Sequence, residues 1–202
     1  MMVSVEKQRI IMRKFAMGRL AQPAQTGIIA SIVGMKINRS ILLREENMKV
    51  LVAYFSASGT TTAVAEAIAK GTGAELFEIR PEKPYTDADL KWTNPLARCN
   101  REKISKQDVP IAGKVEDFAA YDLVFLGFPI WYYGAPNVIQ TFCKGYDWTG
   151  KKLALFATSG GSDIGKTAER LKPYLPGDPE IVGADVFHSA SEAASWAKKI
   201  NG

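Results

Sequence analysis

Three unbroken apolar runs constrain what this chain can fold into more than any other feature. They are residues 49–55 (KVLVAYF), 121–127 (YDLVFLG) and 152–157 (KLALFA). They lack the alternation of a strand with one wet face, so they read as strands buried on both faces. Weaker strands are expected at 74–79 and 180–184. Amphipathic stretches lie between them. Residues 60–70 read as a helix stopped by Gly71, and 135–144 as a helix with Pro136 in its first turn. Residues 163–171 read as a helix ended by Pro173, and 191–200 as a closing helix capped by Ser189 or Ser191. Strand and helix alternating in this way specify an open, mainly parallel sheet with helices on both faces. Right-handed crossovers leave few topologies.

That rhythm begins only at Met48. Residues 1–47 hold eight Lys/Arg against three Asp/Glu, whereas residues 48–202 hold 18 of each. The basic balance therefore belongs to the N-terminal segment. The domain itself is neutral and offers no basic stripe for nucleic acid. Residues 1–47 read as an N-terminal extension, disordered or the product of a mis-assigned start. A targeting segment or a helix docked on the domain are the alternatives. No apolar run approaches the ~18 residues that cross a bilayer, so no membrane partner is expected. Cys99 and Cys143 form no CxxC motif and His188 is the single histidine. Four Cys/His ligands for structural zinc are lacking, and two free thiols suit a reducing, cytoplasmic compartment. His188 reads as a surface or packing residue.

One stretch breaks the alternation. About forty residues, 80–120, separate the second and third strands. A connection this long is either functional or hides a helix, for which 96–105 is the candidate.

In an open parallel sheet the loops at the carboxyl ends of the strands form the binding crevice. Three such loops are distinctive here. The first, residues 56–62 (SASGTTT), follows the first strand and opens a helix. Helix N-terminal amides and hydroxyls donate to an anion, and no acid opposes it. Gly59 lets the chain wrap closely. The loop has no lysine, so it is not a GxxxxGK[ST] site, and no GxGxxG is present. Taken alone it is also what a Ser/Thr-rich helix cap looks like. The second loop, residues 127–136 (GFPIWYYGAP), sets three aromatics between glycines. Such faces suit stacking on a planar ring, with Gly127 and Gly134 allowing amides to approach the ring's heteroatoms. The plain alternative is that one or two of the aromatics pack under the long connection. The third loop, residues 158–163 (TSGGSD), is small and rich in backbone donors, or is a tight turn capped by Ser162 or Asp163.

Together the loops describe a site for a phosphorylated, flat molecule with a polar edge. Here the chain resembles the flavodoxin family, whose phosphate loop Ser/Thr-x-Ser/Thr-Gly-x-Thr is matched by Ser56, Ser58, Gly59 and Thr61. PYT at 84–86, GFPIW at 127–131 and TSGGS at 158–162 resemble a flavodoxin-like branch with a long second connection, and the likeness covers about residues 48–202. It implies a three-layer sandwich around a five-stranded parallel sheet of order 2-1-3-4-5. It also implies a bound flavin mononucleotide (FMN). By position, Ser56, Ser58, Gly59, Thr60 and Thr61 would hold the phosphate. Pro129, Ile130, Trp131, Tyr132, Tyr133 and Gly134 would line the ribityl chain and ring, with Trp131 or Tyr132 stacking. Thr158, Ser159 and Gly160 would meet the polar edge through backbone donors. Two departures stand out. The third loop has no aromatic to sandwich the ring, so Trp92 or Tyr85 would have to cover that face or leave it open. The neutral domain also differs from the strongly acidic carriers of the family.

The resemblance implies electron transfer through bound flavin, with a redox partner protein. An FMN-dependent NAD(P)H/quinone-type reductase with a small aromatic acceptor is the alternative. No dedicated acid or base is evident, Asp163 and His188 being candidates only in the loosest sense. A non-redox phosphate-binding module is a third reading. As a receiver domain the chain would need an Asp at a strand end, and these strands end at Phe55, Gly127 and Ala157.

Overall fold

The computed structural model describes residues 48–202, which form a unit of their own. The N-terminal expectations for residues 1–47 lie outside the described residues. The five main strands are β1 (Val50–Tyr54), β2 (Glu75–Glu78), β5 (Leu123–Pro129), β6 (Lys152–Thr158) and β7 (Glu180–Val186). They pair in parallel in the order β2-β1-β5-β6-β7. Counted by their own sequence, that is the expected order 2-1-3-4-5. The apolar runs take the central places because only there are both faces covered. Every residue of β1 is buried, as are Leu123–Phe128 and Leu153–Thr158.

Alternate side chains of these strands feed two cores. Leu51, Ala53, Val124, Leu126, Leu153 and Leu155 join Phe142 and Trp148 on one face. Val52, Phe125, Ala154 and Phe156 meet Val64, Ile68, Ala193 and Ala197 on the other. The second face is covered by α1 (Thr60–Thr72) and α5 (Ala190–Asn201). The first is covered by α3 (Asn137–Lys144), by the long connection and by α4 (Thr167–Leu171), which runs into a 3-10 turn, Lys172–Tyr174.

Several boundaries differ from expectation, each for a reason remote in sequence. Helix α1 runs through Gly71 and stops at Gly73, whose left-handed φ of 71° turns its N–H back to the Ala69 carbonyl. Gly71 is instead the flat spot where α5 approaches, with Ala194 Cβ only 3.4 Å from where a Cβ would stand. Pro136 is the extended residue before α3 (ψ 155°), not a first-turn residue. Asn137, at the first turn of α3, donates through Nδ2 to the Glu102 and Gln107 carbonyls and ties the long connection down. Helix α4 starts four residues later than expected, after Gly165 takes a φ of 45°. Pro173 lies inside the following 3-10 turn rather than ending α4. Ser189 stands at the head of α5, but its side chain caps no backbone amide there; its hydroxyl meets that of Ser191 at 2.8 Å.

The long connection does hide a helix, α2 (Arg98–Ser105). It also pairs β3 (Arg80–Pro81) with β4 (Ile111–Ala112) in a two-stranded antiparallel ribbon. Strands of two residues carry no sequence pattern, and these exist only because the ends of the connection meet. Among the described residues, no helix is long and apolar enough to cross a membrane.

Candidate functional site

Because all five main strands are parallel, the three distinctive loops leave one edge of the sheet together. Two hydrogen bonds and an aromatic contact join them. The buried hydroxyls of Thr61 and Thr158 meet at 2.8 Å, linking the first loop to the third. The Ile130 N–H donates to the Thr158 carbonyl at 2.8 Å, linking the second to the third. The Phe55 ring meets Trp131 edge-on, with centroids 5.6 Å apart, linking the first to the second.

The first loop is open and polar. Gly59 holds φ at 86° at the head of α1, and no side chain caps the helix. The loop is therefore not the ordinary Ser/Thr cap it could have been. Ser56 is half-buried, and its Oγ accepts the Gly59 N–H at 3.0 Å. Ser58 and Thr60 are exposed, their hydroxyls 3.3 Å apart. Thr61 is buried in its bond to Thr158. No acidic residue lies in the first turn, so the uncapped amides and the helix dipole present one sign of charge to solvent.

The second loop is a tight two-residue hairpin. Trp131 and Gly134 exchange both backbone bonds, at 2.9 and 3.1 Å. Tyr132 and Tyr133 occupy the corner with φ of 50° and 60°. A type I′ corner of this kind belongs to Asn and Gly; two tyrosines there are held by their surroundings. The Tyr132 hydroxyl donates to Asn100 Oδ1 and lies 3.5 Å from Cys99 Sγ. Burial, and then the Cys99 contact, push that phenol's pKa up. Arg170 donates to the Tyr133 carbonyl at 2.5 Å. Of the aromatics, Trp131 is half-buried, Tyr132 sits at the margin of exposure and Tyr133 is fully exposed. Pro129 and Ile130 are half-buried.

The glycines of this loop do not serve the role their spacing suggests. Gly127 is buried within β5, where an added Cβ would lie 2.0 Å from the Phe156 ring. Its lack of a side chain makes room for that ring and not for a ligand. Gly134 is buried behind the corner, with Arg170 Nη1 and Lys103 Nζ at 3.8 and 3.9 Å from where a Cβ would stand.

In the third loop Thr158 is buried and Ser159 half-buried. Ser159 Oγ accepts the Gly161 and Ser162 amides at 3.1 and 2.7 Å, so these two donors are already committed. Gly160 and Gly161 are exposed and face open space. Neither Ser162 nor Asp163 caps a helix, since α4 begins at Thr167.

Of the two residues considered as a cover for the ring, Tyr85 lies in the site and Trp92 stands out in solvent. Tyr85 packs on Phe55 and Trp131, at 5.8 and 5.4 Å, and its hydroxyl donates to Glu102 at 2.5 Å. Arg98 stacks 4.3 Å over its ring. Burial first, then Glu102, raise the Tyr85 pKa. Phe55, Tyr85 and Trp131 thus form an edge-on aromatic cluster at the mouth of the crevice. His188 and Asp163 are exposed, and Cys143 is a fully buried thiol whose pKa burial pushes up. Lys103 and Arg170 reach the corner from α2 and α4. No local pattern marked them, because helix packing alone brings them there.

The comparisons with known proteins agree with this architecture. The model of the flavodoxin family matches residues 49–200. A provisionally named flavoprotein from Bacteroides eggerthii DSM 20697 is 40% identical with a TM-score of 0.70, over 77% of this chain and 99% of that one. A second provisionally named flavoprotein, from Bacteroides uniformis ATCC 8492, is 38% identical with a TM-score of 0.69, over 75% and 99%. A flavoprotein from Lactobacillus acidophilus NCFM, solved in complex with FMN, is 26% identical with a TM-score of 0.59, over 75% and 100%. No curated protein matches. The chain belongs to the flavodoxin family.

Proposed function

We propose that the protein binds FMN in this crevice and transfers electrons through it to or from a partner protein. One observation carries the reading: the uncapped, acid-free head of α1, where Gly59 opens the chain and the exposed hydroxyls of Ser58 and Thr60 lie beside the first-turn amides. That donor set suits a phosphate dianion. The relative from Lactobacillus acidophilus solved with FMN supports the choice of ligand.

In this reading Ser56, Ser58, Gly59, Thr60 and Thr61 hold the phosphate. Thr61 does so while its hydroxyl is bonded to that of Thr158, which ties the phosphate loop to the third loop. Pro129, Ile130, Trp131, Tyr132, Tyr133 and Gly134 flank the ribityl chain and ring. Thr158, Ser159 and Gly160 sit at the polar edge, and Gly160 is the open position there. When bound, the flavin supplies the redox chemistry, and the protein's part is to position it and set the polarity around it. Trp131 and Tyr85, packed on Phe55, would shield a bound ring from water.

The test is direct. Purified protein mixed with excess FMN and then freed of unbound ligand should retain yellow flavin at about one per chain. A colourless product would remove the proposed function and leave the fold. A second reading, an FMN-dependent reductase passing electrons from NAD(P)H to a quinone, is favoured by the third loop, which has no aromatic to close the outer face. Steady oxidation of NADPH with a quinone by the purified protein alone would select the reductase; its absence would select the carrier.

A further inference from the structure

Six large apolar side chains are exposed among the described residues, and five of them, Trp92, Leu96, Ile104, Tyr132 and Tyr133, lie in the long connection or at the β5 corner. Four of these are far out in solvent: Trp92 by 72%, Leu96 by 78%, Ile104 by 81% and Tyr133 by 75%. Hydrogen bonds tie the Trp92 segment to the corner. Asn100 donates to the Trp92 and Asn94 carbonyls at 2.8 and 2.7 Å and accepts from the Tyr132 hydroxyl. Ile104 follows Lys103 on α2.

The same surface is basic, although the domain is neutral. Residues 98–106 and 166–172 contain seven Lys/Arg against two acids, Glu102 and Glu169. Glu102 is committed to Arg98 at 2.5 Å and to Tyr85. Lys103 and Arg170 converge on the corner itself, both within 4 Å of where a Cβ on Gly134 would stand. Among the described residues neither has a carboxylate at ion-pairing distance. Burial and the neighbouring Arg170 weaken the hold of Lys103 on its proton, as expected of two cations brought together without a counter-ion. The cavity beneath the corner, lined by Cys99, Lys103, Trp131 and Asn137, has a volume of about 10 Å3. That is room for about one water, so a small anionic ligand has no seat. What fits is a broad surface.

We propose that α2, the β5 corner and α4 form a docking surface for an acidic redox protein, whose carboxylates would meet Lys103 and Arg170 while Trp92, Ile104 and Tyr133 fill its apolar centre. Exposed aromatics beside arginine are the composition of an interface centre, and opposite charge at the rim steers encounter. The surface includes the β5 corner, which is one of the loops of the crevice; this inference therefore rests on the redox reading above.

The experiment measures binding of the full-length protein to plant-type ferredoxin, a small acidic electron carrier, by calorimetry at low salt, with basic cytochrome c as the opposite probe. Flavin retention is recorded on the same preparations, so that loss of the function reading is seen separately. Wild type should bind ferredoxin, more weakly as salt rises, and bind cytochrome c less well. Lys103→Glu/Arg170→Glu should weaken ferredoxin binding by about tenfold or more. Arg101→Glu/Lys106→Glu, which leaves the corner's own bonds intact, should weaken it in the same direction by a smaller factor. Lys152→Glu/Lys199→Glu, at the other edge of β6 and on α5, should change it less than about twofold. The proposal is overturned if wild type does not bind ferredoxin or if the control pair weakens binding as much. It is overturned equally if anionic lipid vesicles compete the ferredoxin away.

Discussion

The two ends of the crevice are built on opposite principles. At the hydroxyl end, a fully buried strand leads through residues 55–59 into a 13-residue helix, and the one residue that must turn left-handed is Gly59. At the aromatic end, the chain turns left-handed at Tyr132 and Tyr133, which disfavour it. The first end holds its shape through local backbone geometry. The second is held by contacts from outside: Arg170 on the Tyr133 carbonyl and Asn100 on the Tyr132 hydroxyl. The difference teaches where each end is vulnerable. Changes of charge should damage the first end, whereas changes of support should damage the second.

The largest effect should come from the strand that leads to the aromatic end. Gly127→Ala sets a methyl 2.0 Å from the Phe156 ring in the central strand. Neither strand can retreat, because β5 and β6 pair along seven residues. Overpacking of this kind costs about 3 kcal/mol, read as a lower midpoint in urea unfolding. Unchanged stability would show that Phe156 turns aside freely and that β5 tolerates a side chain at this point.

Next comes charge at the hydroxyl end. Ser58→Asp places a carboxylate beside the bound phosphate. Two like charges a few ångström apart near a surface cost about 2 kcal/mol after screening, roughly 30-fold in affinity. Ser58 is exposed, so folding should not change. Titration of the apoprotein by flavin fluorescence measures it, with Ser58→Ala as the control for the lost hydroxyl. Equal affinity in Ser58→Asp and Ser58→Ala would put the phosphate elsewhere.

This asymmetry also sets how much could be read from the sequence. The hydroxyl end was legible because its causes are local: a buried apolar run, a glycine and a row of hydroxyls. The parallel sheet was legible for the same reason, since strands covered on both faces read as unbroken apolar runs. What escaped is whatever depends on a residue far along the chain. Gly71 looked like a helix stop and is a packing site for Ala194; Gly127 looked like a ligand contact and is the seat of Phe156. Nothing in WYYG signals left-handed tyrosines, because the groups that hold them, Arg170 and Asn100, come from α4 and α2. The aromatics were expected to offer flat faces. Instead Trp131 meets Phe55 and Tyr85 edge-on, at 88° and 84°, an arrangement that only the folded connection could create.

A smaller effect tests the tie between the hydroxyl end and the third loop. Thr158→Val removes one partner of the buried Thr61–Thr158 hydrogen bond and leaves the Thr61 hydroxyl, 1% exposed as a residue, without it. An orphaned buried hydroxyl costs about 1.5 kcal/mol. Replacing both, Thr61→Val/Thr158→Val, should cost less than the sum of the two single changes, because no polar group is then left alone. Strict additivity in urea unfolding would mean that the two loops are not coupled through this bond.

The smallest effect probes the tyrosine corner directly. Asparagine visits the left-handed region at much lower cost than an aromatic residue, because its short side chain bonds locally. The Tyr133 side chain is exposed and gives up little packing when it is lost, while its carbonyl, the atom Arg170 holds, is common to every residue. Tyr133→Asn should therefore stabilise the protein, by about 0.5 kcal/mol, which is measurable against wild type in urea. A corresponding loss of stability would mean that the tyrosine earns its place by a contact in the folded monomer. A gain would leave the opposite explanation: a residue that strains the fold and contributes nothing to its packing is kept for what meets that surface from outside.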